Sequence, residues 1–188
     1  MTPTHHDDTA GVILVGGRSS RMGQNKALLT YNGQPLYLHM SGLLRQAGLT
    51  TLVLAGDVPG ADNCLCEPLP YQGPARALAH IIDQLQGRFR SLLVVPVDMP
   101  LLTPALLSAL LSQYRPCYYA QHPLPALLTC KPPPQDVTSM RALLVAQQAQ
   151  ALPLPLPVQA NPCMQNFNTP EEWARLQADL GDQGSEHS

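Results

Sequence analysis

Residues 14–26 constrain the fold of this chain more than any other segment. They follow the apolar run 11–14, which is typical of a buried strand, and they lead into the apolar residues 27–29. The connection contains three glycines, two arginines, two serines and a lysine. Small residues let several backbone N–H groups point at one anion, and the cationic side chains add opposite charge. The pattern therefore predicts a strand followed by a loop that holds a polyphosphate.

Two common phosphate-binding loops do not fit this segment. A P-loop ends in Gly-Lys followed by Ser or Thr, whereas Gly23 is followed by Gln-Asn-Lys-Ala. The dinucleotide fingerprint separates its first two glycines by one residue, whereas Gly16 and Gly17 are adjacent. A surface turn with incidental glycines is a further alternative. Against it, Arg21 and Lys26 stand where phosphates need cations.

Strands alternate with helices along the rest of the chain. The continuously apolar run 91–97 is typical of a strand buried on both faces of a parallel sheet. The alternation predicts an α/β fold in a single domain, with three layers, Rossmann-like connections and a mainly parallel central sheet. The predicted strands are 11–15, 51–55, 91–97, 117–120 and 126–130, and the predicted helices are 36–46, 74–86, 104–113, 137–150 and one that begins at 170.

Length, charge and composition exclude several classes of protein. The 188 residues fit one domain, which we expect at 11–180, with loose tails at 1–10 and 181–188. A formal net charge of −2 does not indicate a nucleic-acid partner. No apolar run approaches the roughly 18 residues of a membrane span, and the N-terminus lacks a secretory signal. We therefore expect a cytoplasmic protein with no nucleic-acid or membrane partner.

Cysteine and proline have distinct patterns. The five cysteines include no Cys-x-x-Cys pair, so we expect them to be reduced and mostly structural.

The 20 prolines are about twice the usual share. At 152–157 proline alternates with leucine, which excludes a helix and a central strand. An extended edge or a polyproline-like crossing is predicted there.

Asp98 ends the buried strand 91–97 and is followed by Met99 and Pro100. A carboxylate at this point lies at the carboxyl edge of the sheet, the same edge as the glycine-rich loop. Mg²⁺ in nucleotide sites is held by one or two carboxylates plus phosphates, so Asp98 is the candidate metal ligand. An aspartate that only turns the chain is the alternative.

Two asparagines precede the last helix. Thr169, Pro170 and Glu172 form a capping box that accounts for the helix start. The box does not account for Asn166 and Asn168, which face the same side of an extended segment because they are two residues apart. Both amides are therefore candidates for a ligand or for the metal shell.

Together these segments resemble the molybdenum cofactor guanylyltransferase family over residues 11–180. The resemblance rests on Gly-Gly-x-x-x-Arg-Met-Gly-x-x-Lys at 16–26, Asp-x-Pro at 98–100, and Asn-x-Asn-Thr-Pro-Glu at 166–171. Gly73-Pro74 and His122-Pro123 also match family pairs. The resemblance implies transfer of GMP from Mg-GTP to the terminal phosphate of molybdopterin or the molybdenum cofactor. It also implies molybdoenzyme apoproteins or their chaperones as further partners.

The resemblance also implies roles for individual residues. Arg21, Lys26 and Asp98 would be catalytic, Asp98 would bind Mg²⁺, and Asn166 and Asn168 would lie in its second shell. The residues implied to contact GTP are Leu14, Val15, Gly16, Gly17, Gly23, Lys26, Glu67, Gly73 and Asp98.

Some features depart from the family and leave alternatives open. Val15 replaces an alanine, Arg76 follows Gly73-Pro74 where smaller residues are usual, and segment 137–158 matches poorly. One alternative is an enzyme of the same fold that uses CTP or a sugar phosphate, although related cytidylyltransferases carry aspartates where Asn166 and Asn168 stand. The other is a nucleotide-binding relative without catalysis.

Overall fold

A seven-stranded sheet forms the centre of the molecule. The computed structural model describes residues 7–15, 25–65, 73–134, 137–155 and 162–183. Strand order in the sheet is β5-β4-β1-β6-β8-β7-β9, and β2 and β3 form a separate hairpin. The strands are β1 Thr9–Leu14, β2 Thr30–Tyr31, β3 Gln34–Pro35, β4 Leu52–Ala55, β5 Cys64–Leu65, β6 Ser91–Pro96, β7 Cys117–Tyr119, β8 His122–Thr129 and β9 Gln150–Leu152.

Helices cover both faces of this sheet. They are α1 Leu36–Gln46, α2 Pro74–Leu85, α3 Pro104–Leu111, α4 Met140–Ala146 and α5 Pro170–Gln183. Helices α1, α3 and α5 pack on one face, and α2 and α4 pack on the other. Four of the six strand pairings in the sheet are parallel, and the two antiparallel ones involve β8. The predicted three-layer α/β fold with a mainly parallel sheet is confirmed.

The two apolar faces of β1 account for its central place. All six residues of β1 are buried. Ile13 contributes to the core beneath α1, α3 and α5, whereas Val12 and Leu14 contribute to the core beneath α2 and α4. A Cβ at Gly11 would lie 2.7 Å from the Leu52 side chain, so a glycine lets β4 pack closely there.

Local signals place most helix starts where the sequence predicts them. Helix α1 has the predicted bounds, and the turn before it contains Asn32 and Gly33 with positive φ. Thr103 caps α3 by accepting a hydrogen bond from the Leu106 N–H, and Pro104 is the first helical residue.

The predicted helix 137–150 is too long at both ends. Ser139 caps the helix by accepting from the Ala142 N–H, so α4 begins at Met140. It ends at Ala146, and Gln148 adopts a φ of 53°, which a continuing helix does not allow. The chain then turns into β9, a parallel edge strand beside β7. Of the stretch 152–157, for which an extended edge was predicted, only Leu152 belongs to β9, and residues 153–155 follow the strand without joining the sheet.

The strand predicted at 126–130 is also longer than expected. β8 begins at His122 and includes Pro123 and Pro125. Its recorded pairs with β6 involve only Ala126 to Thr129, so both prolines lie outside that ladder. Proline is compatible with such positions because no ladder N–H is required there.

The remaining global features concern the chain ends, membranes and cysteines. The domain was predicted at 11–180, whereas β1 begins at Thr9 and α5 extends to Gln183. Within the described part of the chain, no helix has both the length and the apolar character to cross a membrane. Four of the five cysteines lie in the described ranges, and Cys64, Cys117 and Cys130 are free thiols. Burial raises the pKa of Cys117 to about 11, as expected for a structural thiol.

Candidate active site

The ends of three parallel strands form the floor of the candidate site. β1 lies between β4 and β6, and all three point in the same direction. The Val97 N–H donates to the Leu14 carbonyl at 3.1 Å, which continues the ladder past β6. Asp98 is the next residue and stands at the carboxyl edge of the sheet, as the sequence predicts.

A short 3-10 helix, Lys26–Leu28, brings the lysine of the glycine-rich segment to this edge. Asn25 caps the helix: its side-chain oxygen accepts from the Ala27 N–H at 3.0 Å. The same side chain donates through Nδ2 to the Asp57 carbonyl at 3.3 Å, just past the end of β4. This hydrogen bond attaches Asn25, the residue before Lys26, to the carboxyl edge of the sheet. An Asn before a helical turn is a recognisable cap signal, which sequence reasoning did not use here.

Lys26 lies among three oxygen atoms from distant parts of the chain. Its Nζ is 3.1 Å from Asp98 Oδ2, 2.9 Å from Asn168 Oδ1 and 2.8 Å from the Phe167 carbonyl oxygen. The Lys26 and Asp98 side chains are only 16% and 19% exposed. A charged pair so poorly exposed to water interacts more strongly than a surface pair. Among the described residues, the predicted site residues Asp98 and Asn168 both contact the predicted Lys26.

The segment that contains both asparagines is held against Asp98 by its backbone. The Phe167 N–H donates to the Asp98 carbonyl at 2.9 Å. Asn166 and Asn168 are exposed, and Phe167 between them is buried against Trp173, with ring centroids 6.4 Å apart. The alternation predicted from the spacing is therefore present. The Phe167 carbonyl was not predicted, because a backbone acceptor leaves no signal in residue type.

Glu172 fixes the conformation of this segment. Its Oε2 accepts from the Asn168 N–H at 2.7 Å and from the Thr169 N–H at 3.1 Å, while the Glu172 N–H donates to Thr169 Oγ1. These accepted backbone hydrogen bonds lower the pKa of Glu172, and the charge of Lys26 lowers it further. The predicted capping box thus also fixes the backbone of Asn168.

Aromatic packing joins the segment of Lys26 to the last helix. Tyr31 lies 4.6 Å from the ring of His39 and 6.1 Å from that of Trp173, measured between centroids. Gln177 donates to the Thr30 carbonyl at 3.1 Å. The hairpin after Lys26 and the helix after Asn168 are therefore parts of one packed unit.

Three other residues that the family resemblance implies in nucleotide binding, Leu14, Val15 and Gly73, lie in the part of the chain that the structure describes. Leu14 is the last residue of β1 and Val15 follows it. The Val15 N–H donates to the Ala55 carbonyl at 3.2 Å. That N–H is committed to the sheet, and the extra bulk of Val15 lies in the core. Gly73 caps α2 with a φ of 92°, which favours glycine. Gly16, Gly17, Arg21, Gly23 and Glu67 lie outside the described residues.

Arg76 and His122 are two further residues that the sequence comparison with the family singles out. Arg76 is an exposed residue of the first turn of α2. His122 begins β8, which runs antiparallel to β6, so it lies at the same sheet edge as Asp98.

The oxygen atoms around Lys26 fit a divalent cation that is shared with a substrate. Among the described residues, no three His, Cys, Asp or Glu side chains form a metal cluster. Mg²⁺ in nucleotide sites needs only one or two carboxylates, since phosphates and water complete its octahedron. Asp98 offers a partly exposed carboxylate with one oxygen beyond its contact to Lys26.

A mainly parallel α/β sheet with a lysine and a carboxylate at its carboxyl edge fits an enzyme that handles nucleoside triphosphates. The chain belongs to the MobA-like NTP transferase family, whose domain model matches residues 11–153. The resemblance predicted from the motifs is thereby confirmed.

Individual relatives support this assignment. The chain is 39% identical over 179 residues to the molybdenum cofactor guanylyltransferase of Xanthomonas euvesicatoria pv. vesicatoria. The matched region covers 88% of this chain and 93% of that protein. It has the fold of the molybdopterin-guanine dinucleotide biosynthesis protein A from Archaeoglobus fulgidus, with a TM-score of 0.67, 17% identity and coverage of 92% and 99%. It also has the fold of Rv0371c from Mycobacterium tuberculosis H37Rv in complex with manganese, with a TM-score of 0.59, 17% identity and coverage of 90% and 97%.

Proposed function

We propose that this protein transfers GMP from Mg-GTP to the terminal phosphate of molybdopterin or the molybdenum cofactor. The products are the guanine dinucleotide form of the cofactor and pyrophosphate. The observation that carries the proposal is the meeting of Lys26, Asp98 and Asn168 at the carboxyl edge of the sheet. The choice of guanine and of a pterin acceptor rests on the guanylyltransferase that matches nearly the whole chain.

The reaction requires positioning and charge neutralisation more than a protein base. An oxygen of the acceptor phosphate attacks the α-phosphorus of GTP, a new P–O bond forms, and the bond to the bridging oxygen breaks so that pyrophosphate leaves. Lys26, with Arg21, stabilises negative charge on the phosphates, and Asp98 would hold the metal. Mg²⁺ supplies Lewis-acid stabilisation of the phosphate oxygens when it is bound.

Asn168 belongs to the phosphate and metal end of this site. Its side-chain oxygen contacts the Lys26 ammonium and its backbone is held by Glu172. A direct contact of Asn168 with the base does not follow from this position.

Nucleotide choice is tested by calorimetric titration of GTP and CTP, each with Mg²⁺. We expect GTP to bind and CTP to bind at least tenfold more weakly, which corresponds to about 1.4 kcal/mol. Equal affinities, or tighter binding of CTP, would favour a cytidylyltransferase. Tight GTP binding without any dinucleotide product would favour a non-catalytic relative. Cytoplasmic location and delivery to molybdoenzyme apoproteins or their chaperones are part of the proposal.

The roles of the charged residues are tested by substitution. We expect Asp98→Ala and Lys26→Ala each to lower the transfer rate by about 10²–10³-fold, the usual effect of losing one electrostatic contact to the transition state. The control is Lys131→Ala, which removes the other lysine of the chain from an exposed position. Near-wild-type turnover of either site variant, with unchanged circular dichroism, would contradict this mechanism.

A further inference from the structure

The Lys26 ammonium occupies a position that oxygen ligands would offer to a metal ion. Three oxygens of different chemistry converge on it: a carboxylate from Asp98, an amide from Asn168 and the Phe167 carbonyl. Carboxylate, amide and carbonyl oxygens are also the ligands preferred by hard divalent cations. The same three oxygen atoms hold the Lys26 ammonium in this structure.

All the hydrogen-bonding capacity of Lys26 is used in this arrangement. An ammonium has three N–H donors and no acceptor, and Lys26 has three acceptors within 3.1 Å. It has no donor left for a phosphate unless one of these contacts breaks. Binding of a polyphosphate to Lys26 therefore requires a rearrangement inside the cluster.

The backbone beside the cluster is held by hydrogen bonds that do not involve Lys26. The Phe167 N–H is bonded to the Asp98 carbonyl, and the Asn168 N–H is bonded to Glu172. These contacts hold the backbone of Phe167 and Asn168 near Asp98 independently of Lys26. A flexible four-carbon side chain can leave such a set at lower cost than the set can rearrange.

We propose that Lys26 is an internal placeholder for the metal, so that the divalent cation binds well only together with a nucleotide. In the free protein the ammonium neutralises Asp98 and repels a second cation. An arriving polyphosphate draws Lys26 away and brings its own charge, which leaves the Asp98 carboxylate available to the metal. The proposal rests on the proposed function for the identity of the site, but it concerns the order of binding.

The test measures metal binding by the nucleotide-free protein. Mn²⁺ is titrated into wild type and into Lys26→Met, and free Mn²⁺ is followed by electron paramagnetic resonance. We expect Lys26→Met to bind Mn²⁺ about tenfold more tightly than wild type. In wild type the cation must displace a charged hydrogen bond between Lys26 and Asp98, and the energy of such a bond corresponds to about a tenfold change in affinity. Lys26→Gln, which removes the charge and keeps a polar side chain, should show the same direction of change.

Two controls assign the effect to this cluster. Lys131→Met should bind Mn²⁺ like wild type, since Lys131 is exposed and outside the site. The double variant Lys26→Met/Asp98→Asn should lose the gain. Equal Mn²⁺ affinities of wild type, Lys26→Met and Lys26→Gln, including an absence of binding in all three, would overturn the proposal. That result would leave guanylyl transfer standing, because transfer is assayed separately by its product.

Discussion

Phe167 links the stability of the core to the geometry of the site, so its removal has two measurable consequences. The side chain is 5% exposed and makes an edge-to-face contact with Trp173. Its carbonyl accepts from Lys26 and its N–H donates to Asp98. Phe167→Ala should therefore destabilise the fold and also loosen the segment that contains Asn168.

The expected loss of stability follows from this burial. Replacing a buried phenylalanine by alanine costs about 3–5 kcal/mol, which includes the cavity and the lost aromatic pair. For a domain of this size each kcal/mol lowers Tm by about 2–4 °C, so Tm should fall by roughly 6–20 °C. Guanidinium unfolding and calorimetry measure both quantities.

A matched variant separates stability from positioning. Leu176 is also 5% exposed and lies in the same core, three residues after Trp173, and Leu176→Ala should cost about 2–5 kcal/mol. It leaves the backbone of the 166–168 segment intact. At a temperature where both variants are folded, Phe167→Ala should transfer nucleotide more slowly than Leu176→Ala. A destabilisation below about 1 kcal/mol, or equal rates in the two variants, would refute this reasoning.

Two further predictions concern the same segment. Because the folded state lowers the pKa of Glu172, its stabilising contribution is present above about pH 4.5 and is lost as pH falls through the lowered value. Glu172→Gln should therefore be less stable than wild type at pH 7, and the difference should shrink in unfolding curves below pH 4.5; a difference independent of pH would contradict this. Trp173, the one tryptophan of the chain, packs on Phe167, so Mg-GTP should change its emission saturably as Lys26 leaves the Phe167 carbonyl. Calorimetric binding with unchanged emission would show that the segment does not respond.

Elements with local signals could be predicted from the sequence. The bounds of α1 follow from its apolar spacing and from the Asn32-Gly33 turn, and Thr103 and Thr169 mark helix starts by capping. The end of α4 could not be predicted, because it depends on where β9 joins the sheet. Gln147, the residue after α4, donates to and accepts from the backbone of Thr129, the last residue of β8.

The site was predictable as a set of residues and not as a geometry. The sequence indicates that Lys26 and Asp98 share one sheet edge, because each follows a parallel strand. Their direct contact depends on β1 and β6 being neighbours, and the contact to Asn168 spans 142 positions of the chain. The Phe167 carbonyl has no signature in the sequence, since every residue has one.

The central claim is tested most directly by mass analysis of the product formed from purified protein, Mg²⁺, GTP and molybdopterin. We expect a molybdopterin guanine dinucleotide and one pyrophosphate per dinucleotide, with little product when CTP replaces GTP. A cytosine dinucleotide formed faster than the guanine product, or GTP bound without any product, would contradict the proposed guanylyl transfer.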